Sequence, residues 1–154
     1  MDFVKYSEDP NRAWDLIKNN QVVQSVEPMN PEIPKPVGHS RFVLISDTHS
    51  QTSRMEPLPY GDVLIHSGDF TFSGRPIEVL KFNEYLGSLP HRYKVVIAGN
   101  HDIVFDKESY PFLFRFFGHE KVDPDEIKKS LTNCIYLQDE EVTVEGFRIY
   151  GSPW

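Results

Sequence analysis

The stretch FVLISDTHS, Phe42 to Ser50, runs through a block of apolar residues and then straight into Asp47 and His49. A continuous apolar run bounded by turn residues predicts a strand covered on both faces, as in a parallel sheet. Two similar runs follow. DVLIHS, 62–67, leads into Gly68-Asp69, and YKVVIAG, 93–99, leads into Asn100-His101-Asp102. Between them, RPIEVLKFNEYLGSLP places Val79, Phe82, Leu86 and Leu89 near one helical face, with Pro76 in the first turn and Gly87 and Pro90 expected to end it. Strand, helix and strand at this spacing form a βαβ unit, so these two strands are expected to be parallel. The fold class that follows is α/β.

In a parallel sheet the carboxyl ends of neighbouring strands open on one crevice, where ligands bind. That rule gathers Asp47, His49, Asp69, Asn100 and His101 from distant parts of the chain. Two carboxylates so close would repel each other, and a divalent cation removes the conflict. Mixed oxygen and imidazole donors suit manganese, iron or zinc better than calcium. One aspartate can also bridge two metals about 3.5–4 Å apart. Taken singly, each residue has a plainer reading. An aspartate after a strand is ordinarily a turn or cap residue, a loop histidine ordinarily faces water, and asparagine tolerates left-handed backbone. Their recurrence at the end of three apolar runs is what favours a metal site.

Elsewhere the chain offers less chemistry. His66 lies within a strand and reads as packed or as a support to the site, while His39, His91 and His119 read as solvent-facing. Cys134 reads as a small core residue. Neither Ser46 nor Ser67 sits in a Gly-x-Ser-x-Gly elbow, and no glycine-rich phosphate loop occurs.

The chain has 154 residues, 39% hydrophobic and 25% charged, enough for one domain with a real core. Its net charge of −7 comes from scattered acids without a basic stripe, which disfavours duplex nucleic acid as a partner. No apolar run is long enough to span a membrane and no secretory leader is visible, so no membrane partner is expected. A lone cysteine rules out an internal disulfide and suits a cytoplasmic location. Residues 1–40 are expected to form a separate arm. Asp9-Pro10 starts a short helix there, and Pro28, Pro31, Pro34 and Pro36 then enforce extended backbone. Towards the other end, SYPFLFRFFG suggests an aromatic helix from near Pro111 to Gly118. DPDEIKKS suggests a second helix capped by Asp123, and CIYLQ, EVTVEG and FRIYGSPW suggest three strands, the last two a hairpin about Glu145-Gly146.

With SDTH, SGDF and AGNHD in this order, the sequence resembles the calcineurin-like metallophosphoesterase superfamily, whose opening motifs are Asp-x-His, Gly-Asp and Gly-Asn-His-Asp/Glu. Within it, the chain is similar to the brain metallophosphoesterase-domain-containing group, which is compared with class III cyclic nucleotide phosphodiesterases. The segments PKPVGHSRFVLISDTHS, PYGDVLIHSGDF, VVIAGNHDIVFDKE and LTNCIYLQDEEVTVEGFRIYGSPW carry that similarity. It implies the N-terminal portion of a four-layer α/β/β/α sandwich with a mixed sheet. It also implies a phosphodiesterase acting on small nucleotide-like phosphoesters through a metal-activated hydroxide and two divalent ions.

On that resemblance Asp47 and His49 bind the first metal, Asp69 bridges both, and Asn100 binds the second. His101 is the catalytic residue beside them, and Asp102 orients His101. The phosphatase branch's Asp-Arg-Gly is missing from GDFTFSGR, and the purple acid branch's metal-binding tyrosine is replaced by Phe72. The family also draws three further histidine ligands from a Gly-His pair and a Gly-His-x-His motif near the domain's C-terminus, and neither stands in that place here. Residues 41–154 are therefore expected to be a truncated domain with a poor second metal set. The alternative expectation is a catalytically weak or inactive metal-binding protein that self-associates through an open sheet edge.

Overall fold

A computed structural model describes residues 9–27 and 29–153. Residues 1–8 and Pro28 of the expected arm, and Trp154 after the last expected strand, lie outside the described residues. The chain divides into two compact units, residues 1–30 and 31–154. In the first, helix α1 spans Pro10–Ile17, with proline in the first turn and the Asp9 side chain accepting from the Arg12 amide at 3.0 Å. No helix or strand follows it through residues 21–27. The division falls earlier than the expected boundary at residue 40, because 31–40 is tied to the second unit. The Lys35 ammonium sits 2.7 Å from both oxygens of the Asp62 carboxylate, and the Arg41 guanidinium donates to the carbonyls of Pro31 and Ile33.

In the second unit, strands β1 (Phe42–Ile45), β2 (Val63–His66), β3 (Tyr93–Val96) and β4 (Ile135–Tyr136) form one parallel sheet in that order. The register pairs Ile45 with His66 and His66 with Val96, so the three metal-motif corners leave the sheet at one level. Helix α2 (Pro76–Ser88) makes the crossover from β2 to β3. Helices α3 (Tyr110–Phe116) and α4 (Pro124–Lys129) lie between β3 and β4. Alternation along the strands sorts the side chains into two cores. Val43, Leu64 and Val96 pack against Val79, Phe82 and Leu86 of α2. Those three helix residues contribute about 5–9 kcal/mol of hydrophobic stabilisation before chain entropy is subtracted.

Val63 and Val95 point to the opposite face. They meet Leu137, Val144 and the partly buried Val142 and Ile149 of an antiparallel hairpin, β5 (Glu140–Val144) and β6 (Phe147–Gly151). Glu145 and Gly146 both take positive φ in its turn, the geometry of a tight two-residue hairpin. The result is α/β: helices on one face of a parallel sheet and a second, antiparallel layer on the other. The two strand directions thus lie in two separate hydrogen-bonded sheets. No described helix is long and apolar enough to cross a membrane.

Some local expectations need correction. Gly87 does not end α2, which continues to Ser88. Its missing Cβ instead admits the Asn133 amide, which a Cβ would meet at 2.7 Å and which donates to the Asn83 carbonyl at 2.9 Å. His91, expected in solvent, is only 2% exposed. Its Nε2 donates to the Pro59 carbonyl at 3.2 Å, and burial holds its pKa below the usual range. His119 is also not solvated at its polar atoms, since both ring nitrogens are buried without a hydrogen-bond partner among the described residues, and burial again lowers its pKa. Polar neighbours in sequence do not report what the fold lays over a loop.

Candidate metal centre

The corner begins with backbone conformation. Asp47, His49 and Asp69 have φ of 57°, 41° and 57°. Left-handed backbone at non-glycine residues is uncommon and costs about 1–2 kcal/mol per residue, so it persists only when neighbours enforce it. Here the first corner is laced to the second. The amides of Asp47, His49 and Ser50 donate to the carbonyls of Gly68, Asp69 and Phe70 at 3.0, 3.0 and 2.9 Å. Gly68 and Gly99 let the second and third corners touch, because a Cβ on Gly68 would lie 2.7 Å from the Gly99 nitrogen and one on Gly99 2.6 Å from the Asp69 nitrogen. The His101 amide then donates to Asp69 Oδ1 at 2.9 Å.

One ligating atom from each of His49, Asp69 and His101 lies within 4.8 Å of the others. Asp47 is not brought into this group; its exposed carboxylate reaches only to its edge, with Oδ1 3.8 Å from His49 Nε2. The two imidazoles are set alike. His49 Nδ1 meets the Thr71 carbonyl at 3.3 Å and His101 Nδ1 meets the next carbonyl, Phe72, at 2.8 Å. A carbonyl only accepts, so each Nδ1 carries the proton and each neutral ring keeps its lone pair on Nε2. This arrangement is the usual support of a metal-ligating histidine. The rings stand edge to face with centroids 4.4 Å apart. One carboxylate and two imidazoles, with the Asp47 carboxylate beside His49, fit a divalent metal of mixed nitrogen and oxygen preference. Asn100 is exposed in the turn before His101 and lines a hollow with Phe72 and Phe117.

Asp102 does not orient the His101 ring, contrary to the expectation from resemblance. Its buried carboxylate accepts from the amides of Thr71 (2.8 Å), Gly99 (2.9 Å) and Phe70 (3.3 Å) and from the Thr71 hydroxyl (2.7 Å). It therefore fastens the second corner to the third, and the Phe72 carbonyl takes the part expected of it. Burial raises its pKa against the pull of those donors.

His66 is buried beneath the site, edge-on to Phe82 at 5.0 Å between ring centroids. The Gly68 amide donates to its Nδ1 at 3.3 Å, so Nε2 holds the proton and donates to Thr48 Oγ1 at 3.0 Å. Desolvation lowers its pKa to about 4, against the opposing charges of Asp47 and Asp69. It is a neutral strut between the first two corners.

Thr48, Thr71 and Glu78 escape sequence reading. Only Glu78 leaves a signal, as an acid in the first turn of α2. Its carboxylate accepts from Ser50 Oγ and the amides of Phe72, Ser73 and Arg75. Burial would raise its pKa, but these bonds outweigh it and hold the group below the usual range.

Gly118-His119 does not belong to this group. It lines a separate hollow with Arg75, Pro76 and Ile77.

The profile of the calcineurin-like phosphoesterase family matches residues 40–152. The chain is 52% identical over 164 aligned residues to Metallophosphoesterase domain-containing protein 1 of Homo sapiens, covering 97% of this chain and 50% of that protein. The Mus musculus protein of the same name matches equally, and UPF0046 protein C25E10.12 of Caenorhabditis elegans is 41% identical over 150 residues, covering 96% and 53%. The chain thus spans about half the length of the curated relatives it matches. Matched along its motif-bearing region and closely related to these proteins, the chain belongs to the calcineurin-like phosphoesterase family.

Proposed function

We propose that the chain carries the metal-binding corner of a phosphoester hydrolase that cleaves phosphodiesters of small nucleotide-like molecules. The observation that carries this reading is the pair of imidazoles held by consecutive carbonyls, Thr71 and Phe72, each with a ring nitrogen within 4.8 Å of an Asp69 oxygen. Asp47, His49 and Asp69 would hold one divalent ion, and Asp69 with Asn100 a second, manganese, iron or zinc being the best-matched elements. A bound cation supplies Lewis acidity towards a phosphoryl oxygen and makes a water acidic enough to attack phosphorus.

The chain's own residues do the positioning. Asp69 is fixed by the His101 amide, and His49 and His101 are held in one tautomer. As an imidazolium, with a second proton taken up at Nε2, His101 would stabilise charge or hand that proton to the leaving oxygen. A small substrate suits an acidic protein without a basic stripe. The single, partly buried thiol, Cys134, suits a reducing, cytoplasmic setting.

Titration with Mn²⁺ and Zn²⁺ by calorimetry, alongside hydrolysis of a chromogenic phosphodiester, tests the reading. Binding and turnover should both fall in Asp69→Ala, whereas His101→Ala should lose turnover by about 10²-fold or more. Absence of metal binding by the wild-type chain sinks it. A second reading, a weakly active protein that pairs with another copy, is favoured by β1. Among the described residues that strand has only β2 as a hydrogen-bonded neighbour, and its Leu44 is 67% exposed. Sedimentation that returns a monomer at high concentration removes it.

A further inference from the structure

Phe72 is a large apolar ring that the fold leaves outside. Its amide meets Ser50 Oγ at 3.3 Å and Glu78 Oε1 at 3.2 Å, and its carbonyl accepts from His101 Nδ1 at 2.8 Å. The backbone is pinned on both sides, yet the residue is 64% exposed and its ring lies 6.3 Å from that of His101. So exposed a ring contributes little to folding, and so fixed a backbone gives it a defined place. Phe117, directly after α3, is also partly uncovered, at 42%. The two rings share a hollow of about 220 Å³ with Ser73, Asn100, His101 and Ile103. An apolar space of about 150 Å³ suffices for benzene, so one flat ring fits.

Resting on the phosphoester reading, we infer that Phe72 and Phe117 form a subsite for a flat aromatic group carried by the substrate. His101 borders both this hollow and the metal corner, so an ester whose phosphorus sits at the corner would direct one arm into the hollow between the two phenylalanines. Among the described residues the lining holds no lysine, arginine or carboxylate, which disfavours a second phosphate as the occupant. Stacking on a preorganised ring loses little side-chain freedom on binding. The ring can belong to a nucleobase or to a simple aryl ester, which share this chemistry.

Calorimetry on the full chain with Zn²⁺ separates the outcomes, using methylphosphonate, phenylphosphonate and a hydrolytically inert adenosine phosphonate. The aromatic ligands should bind about tenfold more tightly than methylphosphonate. The stronger of the two identifies the source of the ring. Phe117→Ala should erase most of that preference while leaving methylphosphonate affinity within twofold of wild type, and Phe72→Ala should erase the preference as well. Phe72→Leu, which keeps apolar bulk but no ring, should behave like Phe72→Ala. Equal, metal-dependent binding of all three ligands overturns the subsite and leaves the phosphoester reading standing. No metal-dependent binding of any ligand overturns both. A Phe72→Ala variant that dissociates a dimer without changing the ligand preference assigns the hollow to a second copy and also overturns the subsite.

Discussion

Replacing Asp102 by asparagine exchanges one atom in a fully enclosed position and asks what fastens the corners of the site together. The carboxylate receives donors on both oxygens: Thr71 N and Oγ1 on Oδ1, and Gly99 N and Phe70 N on Oδ2. An asparagine can turn its carbonyl to only one of these pairs. With Thr71 satisfied, the amide NH₂ faces the Gly99 and Phe70 N–H groups, donor against donor. Two buried donors left without acceptors cost about 1–3 kcal/mol each. The variant also sheds a charge that burial disfavours, which returns part of that cost. A net loss of about 2–4 kcal/mol is expected.

Urea unfolding followed by far-UV circular dichroism should show the midpoint falling with the m-value unchanged. Amide exchange at Phe70, Thr71 and Gly99 should accelerate in the folded state. If Asp102 acted chiefly by orienting the His101 ring, stability would hold and only the His101 titration would move. A loss below about 0.5 kcal/mol with protected amides refutes the fastening role.

Other perturbations test other parts of the argument. His66 has a folded pKa near 4 against an ordinary value of 6.5, so the unfolded chain takes up a proton that the folded chain refuses. Its contribution is present above pH 6.5 and lost as pH falls towards 4, with a ceiling of about 3 kcal/mol; His66→Gln should flatten that part of the stability–pH curve. Gly99→Ala places a methyl 2.6 Å from the Asp69 nitrogen, and backbone cannot yield cheaply there. Calorimetry should find metal binding lost, and unfolding should show a destabilisation of about 2 kcal/mol or more. Burial pushes the Cys134 thiol up to about 12, so iodoacetamide at pH 8 should leave it untouched in the folded protein and label it in urea. Rapid labelling of the native chain would contradict its packing against the α2-side core.

The one-dimensional pattern determined a great deal. Apolar runs at 42–45, 63–66 and 93–96 fixed three strands, and the spacing between the last two fixed their parallel direction. The order of strand, acid and imidazole named the corner, because a parallel sheet delivers all its carboxyl ends to one side. Cap chemistry at Asp9 and Asp123 placed α1 and α4. These features are local, written in the period and punctuation of neighbouring residues. What only the tertiary structure decided is which groups answer one another across the loops. Asp102 and His101 are adjacent in the chain, and proximity suggested a pair, yet the carboxylate turns to Thr71 and the ring to Phe72. His91 and His119 sit among polar neighbours and are enclosed regardless. A buried hydrogen-bonding group takes whichever partner the fold brings within about 3 Å, and that choice depends on the packing of distant segments rather than on the order of residues.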